Sequence, residues 1–461
     1  MTKDYDFIVI GGGSAGYNAA RKALEFSPKV AVVDGADEPG GLCILRGCMP
    51  SKTLIYTGEI LHHAKNGAMF GLEIPRAAAD MKRVAERKRR IISEFASYRV
   101  DGLTSGDFDF HRQMARFRDT HSIELADGTV LNGRKFLIST GSQVSWPSIP
   151  GLDRVPLWTS DDVLDLDFLP ESVLVFGGGI VACELAQYLS RIGSQVVQIQ
   201  RSSHIVKDFP ESASRELETA FHDEGIELFT GTNLKEVRKS EKGVAAVFEH
   251  NGEIVTREAA YGFNALGRIA QTDSLGLEAA GVKLRENGQI ETNGYQQSSN
   301  PDIYAAGDCA GPYEIVHIAI QQGELAAQHA FGSKVAPMSY DLLLQVLFTD
   351  PQIALVGKTE KDLAESGRNF IAASYPFDDH GKSILMEAKY GYVKVIASIP
   401  DGRLLGAEIV GKDAGELIHS LSTAIALNAS VHDLLKAPWY HPTLSEIITY
   451  PLEEIAEKLQ Q

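Results

Sequence analysis

The feature that most constrains the fold of this chain is a pattern it carries twice. From Tyr5 the sequence reads YDFIVIGGGSAGYNAARKALEF…KVAVVD. The apolar run Phe7 to Ile10 predicts a buried strand, Gly11-x-Gly13-x-x-Gly16 a tight turn, and the Ala-rich stretch that follows a helix. A second apolar run, Val30 to Val33, ends at Asp34. Strand, glycine turn, helix, strand and an acid about 20 residues on make the arrangement that binds a dinucleotide. Gly11 permits the turn, Gly13 lets backbone N–H groups approach a pyrophosphate, and Gly16 lets helix and strand pack closely. The helix N-terminus adds partial positive charge for the phosphates, and Asp34 can accept hydrogen bonds from a ribose diol.

The second copy reads SVLVFGGGIVACELAQYLSRIGSQVVQIQR, with Gly177-x-Gly179-x-x-Ala182 as its turn. Here the ribose-binding acid is replaced by Gln200, Arg201 follows at once, and Lys207 comes soon after. An arginine at that place suits a 2′-phosphate, which favours NADP over NAD. Two nucleotide sites in one chain suggest one cofactor held permanently and another that comes and goes. Downstream, NPDIYAAGDCAG leads a short apolar run into Gly307-Asp308, a carboxylate at a strand end.

A third feature is PGGLCILRGCMPSK, which places Cys43 and Cys48 in one loop of a chain with only 4 cysteines in 461 residues. Such a pair reads as redox-active, metal-binding or idle; C-x4-C with no further cysteine or histidine cluster is a poor zinc site. Cys183 and Cys309 read as small buried residues. The length predicts about three domains. The opening MTKDYDFIVIGGG has no basic segment before a long apolar run, which predicts no secretory signal. No stretch of about 18 apolar residues predicts a membrane span, so a reducing cytoplasmic setting is expected. A formal net charge of −17 argues against nucleic acid or an anionic membrane as partner. The one basic run, Met81 to Ile91, reads as a solvated helix face with a buried apolar stripe.

Taken together, these motifs resemble the class I pyridine nucleotide–disulfide oxidoreductases, the family of dihydrolipoamide dehydrogenase, glutathione reductase and mercuric reductase. The resemblance runs the whole length, through GCMPSK, STG at Ser139 to Gly141, ALGR at Ala265 to Arg268, AAGD, FTDPQIALVG and HPTLSE at His441 to Glu446. It implies an α/β fold with two Rossmann-like dinucleotide-binding domains and a C-terminal α/β dimerisation domain. The implied FAD-binding domain is discontinuous, residues 1–153 and 266–336, with an NAD(P)-binding domain inserted at 154–265. Residues 337–461 would form the interface of a homodimer.

The resemblance also implies roles. Cys43 would be the thiol that meets substrate and Cys48 the one beside the flavin, with Lys52 near the flavin ring and paired with Glu184. FAD would further lie against Gly11, Gly13, Gly16, Asp34, Gly41, Ala115, Thr140, Gly141, Asp308 and Val316. The pyridine nucleotide would meet Gly177, Gly179, Ala182, Glu184, Arg201, Lys207, Leu234 and Gly267. His441, held by Glu446, would carry the proton for the active site of the other subunit. His317 would lie near the flavin; Trp439 and Tyr440 line the substrate channel or pack at the interface. No metal site is expected.

The substrate expectation is a dihydrolipoamide dehydrogenase-like exchange, with dihydrolipoamide or a lipoyl-bearing protein as partner. The alternative is an NADPH-dependent reductase of another disulfide, a metal ion or a quinone. Three departures bear on it: Arg46 between the cysteines, PWY before His441, and the Gln200-Arg201 pair. The tail EIAEKLQQ lacks the cysteine pair of mercuric reductases, and no N-terminal metal-binding domain is expected.

Overall fold

The computed structural model describes residues 2–460. The first fingerprint forms as its pattern requires. Strand Thr2–Ile10 feeds helix Ser14–Ala23, and strand Val30–Val33 returns parallel beside it. Gly16 is where that packing is tightest: a Cβ there would lie 1.9 Å from the Gly11 carbonyl oxygen. The sheet runs Asp109–His111, Val30–Val33, Thr2–Ile10, Val130–Ile138, Ser122–Leu125, Ala115–Phe117. Strand Val130–Ile138 is shared. Its first half pairs antiparallel with Ser122–Leu125, and its last three residues pair parallel with Ile303–Ala305 from far downstream. That late strand is what carries Asp308 back to the first glycine turn.

The second fingerprint builds a parallel sheet of Glu227–Phe229, Gln195–Ile199, Ser172–Phe176 and Tyr261–Asn264, with helix Ile180–Ile192 following its turn. An antiparallel meander, Asn233–Ser240, Gly243–His250 and Glu253–Ala259, lies beside it. The last portion is a five-stranded antiparallel sheet ordered Leu344–Leu347, Gln352–Gly357, Leu404–Gly411, Tyr392–Ser398, Phe370–Pro376. Helices Ala414–Ala426 and Thr449–Leu459 cover it through Leu417, Ile418, Leu421, Leu452 and Ile455. No helix among the described residues is long and apolar enough to cross a membrane.

The basic run falls on helix Met81–Leu103, capped by Asp80, whose side chain accepts the Arg83 N–H at 3.2 Å. Met81 and Ile92 are buried as a stripe, while Val84 and Ile91 are only half-buried. The solvated-face reading misses one member: Lys88 is 6% exposed and pairs with Asp165. A lysine at that depth is retained by its carboxylate partner, since an unpaired buried cation is costly.

Candidate active site

Helix Cys48–Lys65 begins at Cys48 itself, and a short helical turn, Leu42–Leu45, carries Cys43. Both cysteines are half-buried, free thiols. The chain folds this way because Gly41 sits at φ 80° and Gly47 lets the loop double back, its missing Cβ leaving 3.0 Å to the Leu42 carbonyl. A hydrogen bond from the Cys43 thiol draws the Cys48 thiol down to about 7 against the cost of burial, and Lys52 one helical turn on adds to it. The same bond and burial push Cys43 up. In the dithiol form, therefore, Cys48 holds the negative charge and Cys43 the proton.

Lys52 is oriented by two partners. Its ammonium donates to Glu184 Oε2 at 2.7 Å and lies 4.6 Å from the centre of the Phe348 ring. Glu184, with a side chain only 4% exposed, uses its other oxygen to accept the Phe348 N–H at 3.0 Å. Two distant segments thus converge on the cation that helix Cys48–Lys65 presents. Phe348 carries no signal in the sequence beyond its place in FTDPQIALVG.

By contrast, Cys183 and Cys309 are fully buried, and burial pushes their thiols up to about 12 and about 11. The expectation that they are small core residues describes them.

Around the first glycine turn the backbone is bare. Gly13 and Gly41 face each other so closely that a Cβ on Gly41 would lie 2.5 Å from the Gly13 Cα. Asp34 accepts the N–H of Gly12 at 2.9 Å and of Ala36 at 3.0 Å, so it braces the turn. Arg99, from the basic helix, reaches the Gly12 carbonyl at 3.5 Å and lies over the Tyr17 ring; the sequence reading did not single it out. Ala115 opens a buried edge strand, and Thr140 donates its hydroxyl to the Gln271 carbonyl. A Cβ on Gly141 would meet nothing within 4 Å. Asp308 accepts from Ser142 Oγ at 2.6 Å, and Ser142 accepts from Arg268 Nε at 2.8 Å, a relay the sequence did not announce. Val316 opens helix Val316–Ala330, and burial lowers the neighbouring His317. Glu314, just before it, is pushed up to about 7 by burial and by Asp308.

At the second turn Gly177 is held at φ 121°, Ala182 is buried, and a Cβ on Gly179 would meet nothing within 4 Å. Gln200 packs against Gly178, whose Cβ would lie 2.8 Å from its side chain. Arg201 and Lys207 are exposed, and among the described residues neither pairs with a carboxylate. Gly267 is open to space, whereas Leu234 packs into the cluster of Val237, Phe248 and Ile199. Bare glycine backbone at two helix N-termini, with no Cβ in the way, fits the pyrophosphates of FAD and of a pyridine nucleotide.

His441 and Glu446 form a local pair at the other end of the chain. Nδ1 lies 3.0 and 3.1 Å from the two carboxylate oxygens, and the Thr443 N–H donates to Oε1 at 3.2 Å. The His441 side chain is 79% exposed. Among the described residues no hydrogen bond or ion pair joins it to either cysteine. Trp439 donates its indole N–H to the Leu434 carbonyl at 3.2 Å, so it is anchored, while Tyr440 is 82% exposed. Arg46 points to solvent and meets Asp161 at 3.4 Å.

A family model described as pyridine nucleotide-disulphide oxidoreductase matches residues 5–323, and the dimerisation domain of the same family matches residues 344–451. The chain belongs to the pyridine nucleotide-disulphide oxidoreductase family. Members are FAD-binding flavoproteins that use a pyridine nucleotide, and the dimerisation domain supports a homodimer. Two relatives differ in name. The chain is 34% identical over 468 residues to a dihydrolipoyl dehydrogenase of Thermus scotoductus, spanning 100% of this chain and 98% of that protein. It is 33% identical over 444 residues to a mercuric reductase of Staphylococcus aureus, spanning 96% of this chain and 81% of that protein. The crystal structure of LpdA from Mycobacterium tuberculosis shares the fold at a TM-score of 0.87, with 24% identity over 98% of this chain and 99% of that one.

Proposed function

We propose that this chain is an NADPH-preferring flavoprotein that exchanges two electrons between the Cys43–Cys48 pair and a small dithiol or disulfide, with dihydrolipoamide the first compound to try. The observation that carries this reading is the division of labour between the thiols. Cys48 is held near neutrality as a thiolate by Cys43 and Lys52, while Cys183 and Cys309 are sealed in the core. Only one thiol pair within the chain is therefore placed to react. A metal-ion reductase that hands its ion between two thiol pairs would find no second pair among these four cysteines.

With a dithiol substrate, a substrate thiolate attacks Cys43 Sγ, the Cys43–Cys48 bond breaks, and its electron pair leaves on Cys48. The second substrate thiol then attacks the mixed disulfide, releasing oxidised substrate and leaving its proton on Cys43. The first substrate proton goes to His441 Nε2, which is free because Glu446 engages Nδ1. The reverse sequence reduces a disulfide, and His441 then protonates the leaving thiolate. The FAD would supply the two-electron exchange between this dithiol and the pyridine nucleotide. Because His441 is exposed and touches neither cysteine of its own chain, we assign it to the disulfide of the other subunit. Arg201 and Lys207, exposed where the ribose acid is replaced by Gln200, support a 2′-phosphate ligand.

The test is the initial rate with dihydrolipoamide on FAD-loaded protein, comparing NADP+ with NAD+. Fast turnover with NADP+ is the expected result. A preference for NAD+ would overturn the reading of Arg201. Negligible turnover, with NADPH still generating protein thiols, would move the substrate to another disulfide.

A further inference from the structure

Glu446 is approached by a second histidine. His380 lies between the turn Phe377–Asp379 and the short helix Gly381–Leu385, and it is 1% exposed. Its Nδ1 is 2.9 Å from the hydroxyl of Ser383, a fully buried residue. Its Nε2 lies 3.7 Å from Glu446 Oε1 and has no hydrogen-bond partner. A buried ring nitrogen left without a partner is uncommon enough to need a reason. The nearest carboxylate oxygen is the one that already receives His441 Nδ1 and the Thr443 N–H.

The Ser383 contact at Nδ1 fits either tautomer, and the carboxylate facing Nε2 favours the one protonated there. When the Ser383 hydroxyl donates to Nδ1, the ring proton sits on Nε2 and points at Glu446. We propose that His380 is a positioning residue for His441: its Nε2–H braces Glu446 from the buried side and draws off part of the carboxylate's charge. Glu446 is then shared between two imidazoles, one buried and fixed, the other exposed and working. Burial lowers His380 below the ordinary histidine range against the opposing pull of Glu446, and the neighbouring His441 lowers it further. The other titratable groups nearby are committed elsewhere. Tyr450, from helix Thr449–Leu459, presents its ring at right angles and stacks on Tyr375 at 4.0 Å, and Asp379 accepts from the Tyr375 hydroxyl at 2.9 Å.

The consequence is a sign. With the charge of Glu446 divided, less of it falls on the His441 ring. Removing the His380 donor returns the whole charge to His441 and raises its midpoint.

This inference rests on the proposed role of His441 as proton carrier, so its test is read without substrate. The Cε1–H resonance of His441, assigned with His441→Gln, is titrated by NMR in oxidised, FAD-loaded protein. His380→Phe keeps the volume and loses the donor; His380→Gln keeps an amide N–H within reach of Glu446. The expected result is an upward shift of the His441 midpoint by roughly 0.5 to 1 pH unit in the Phe variant, with the Gln variant returning toward wild type. Ser383→Ala, which frees the tautomer, gives a smaller shift of the same sign and serves if the Phe variant does not fold. Coincident titrations in the variants and wild type would overturn the proposal, as would an upward shift that the Gln variant retains in full. Should His441→Gln keep full turnover, the proton-carrier role fails on its own, while the titration still decides the link through Glu446.

Discussion

The two ends of the proposed exchange are built in opposite ways. The Cys43–Cys48 end is assembled from distant pieces: a loop, the start of a helix, Glu184 from the second fingerprint helix and Phe348 from the interface domain. Its charged partner Glu184 is buried, so the electrostatics act at low local dielectric. The His441–Glu446 end is six residues of one segment, and its histidine faces solvent. The first end is finished within one chain. The second is offered outward, which is what a proton carrier for another subunit would require.

That contrast can be broken most severely at the first end. Cys48→Ser should cut dithiol or disulfide turnover by about 10³-fold or more, because the exchange has no second attacking thiol. Retained turnover would move the chemistry off the pair. At the second end, His441→Gln should lower kcat by about 10²- to 10³-fold, the usual worth of a placed proton carrier. Mixing that variant with Cys43→Ser protein should restore part of the rate through heterodimers; no restoration after subunit exchange would place both groups in one chain's site.

Smaller effects sharpen the picture. Arg201→Glu should reduce the preference for NADPH over NADH by about 10- to 100-fold, in keeping with one lost charge-assisted contact to phosphate. Steady-state kcat/KM for both nucleotides reads this directly, and an unchanged ratio would return Arg201 to the role of a solvent-facing charge. The smallest effect is a midpoint. In the reduced protein the Cys48 thiolate, read by its ultraviolet absorbance, should grow as pH rises through about 7. Its folded value lies below that of an unfolded cysteine near 8.5. The stability the thiolate lends is therefore present above the unfolded value and lost as pH falls through about 7. Cys43→Ala should move the midpoint up more than Lys52→Met does, since the Cys43 hydrogen bond is the larger lowering influence.

What the sequence made legible divides along the same line. Gly11, Gly13 and Gly16 are readable because a turn and a close approach impose them locally, and the second copy repeats the rule. His441 and Glu446 are readable because they lie one short turn apart. The two dinucleotide-binding units follow from strands and helices alternating about each glycine turn, whereas the C-terminal α/β portion is expected only from the family resemblance and its antiparallel sheet emerges in the structure. What stayed hidden is long-range. Lys88 looks like any member of a basic helix until Asp165 closes on it from 77 residues away. His380 sits in YPFDDHGKS with no local mark, and only the packing of strand Phe370–Pro376 against the Thr449–Leu459 helix brings it to Glu446. The relay from Arg268 through Ser142 to Asp308 spans three segments that share no pattern.

The most direct test of the central claim needs no substrate. Oxidised, FAD-loaded protein is treated anaerobically with NADPH, and new thiols are counted and located by alkylation and mass spectrometry. The account predicts that two thiols appear per chain, on Cys43 and Cys48, with Cys183 and Cys309 protected. Consumption of NADPH without new thiols at those two positions would contradict it.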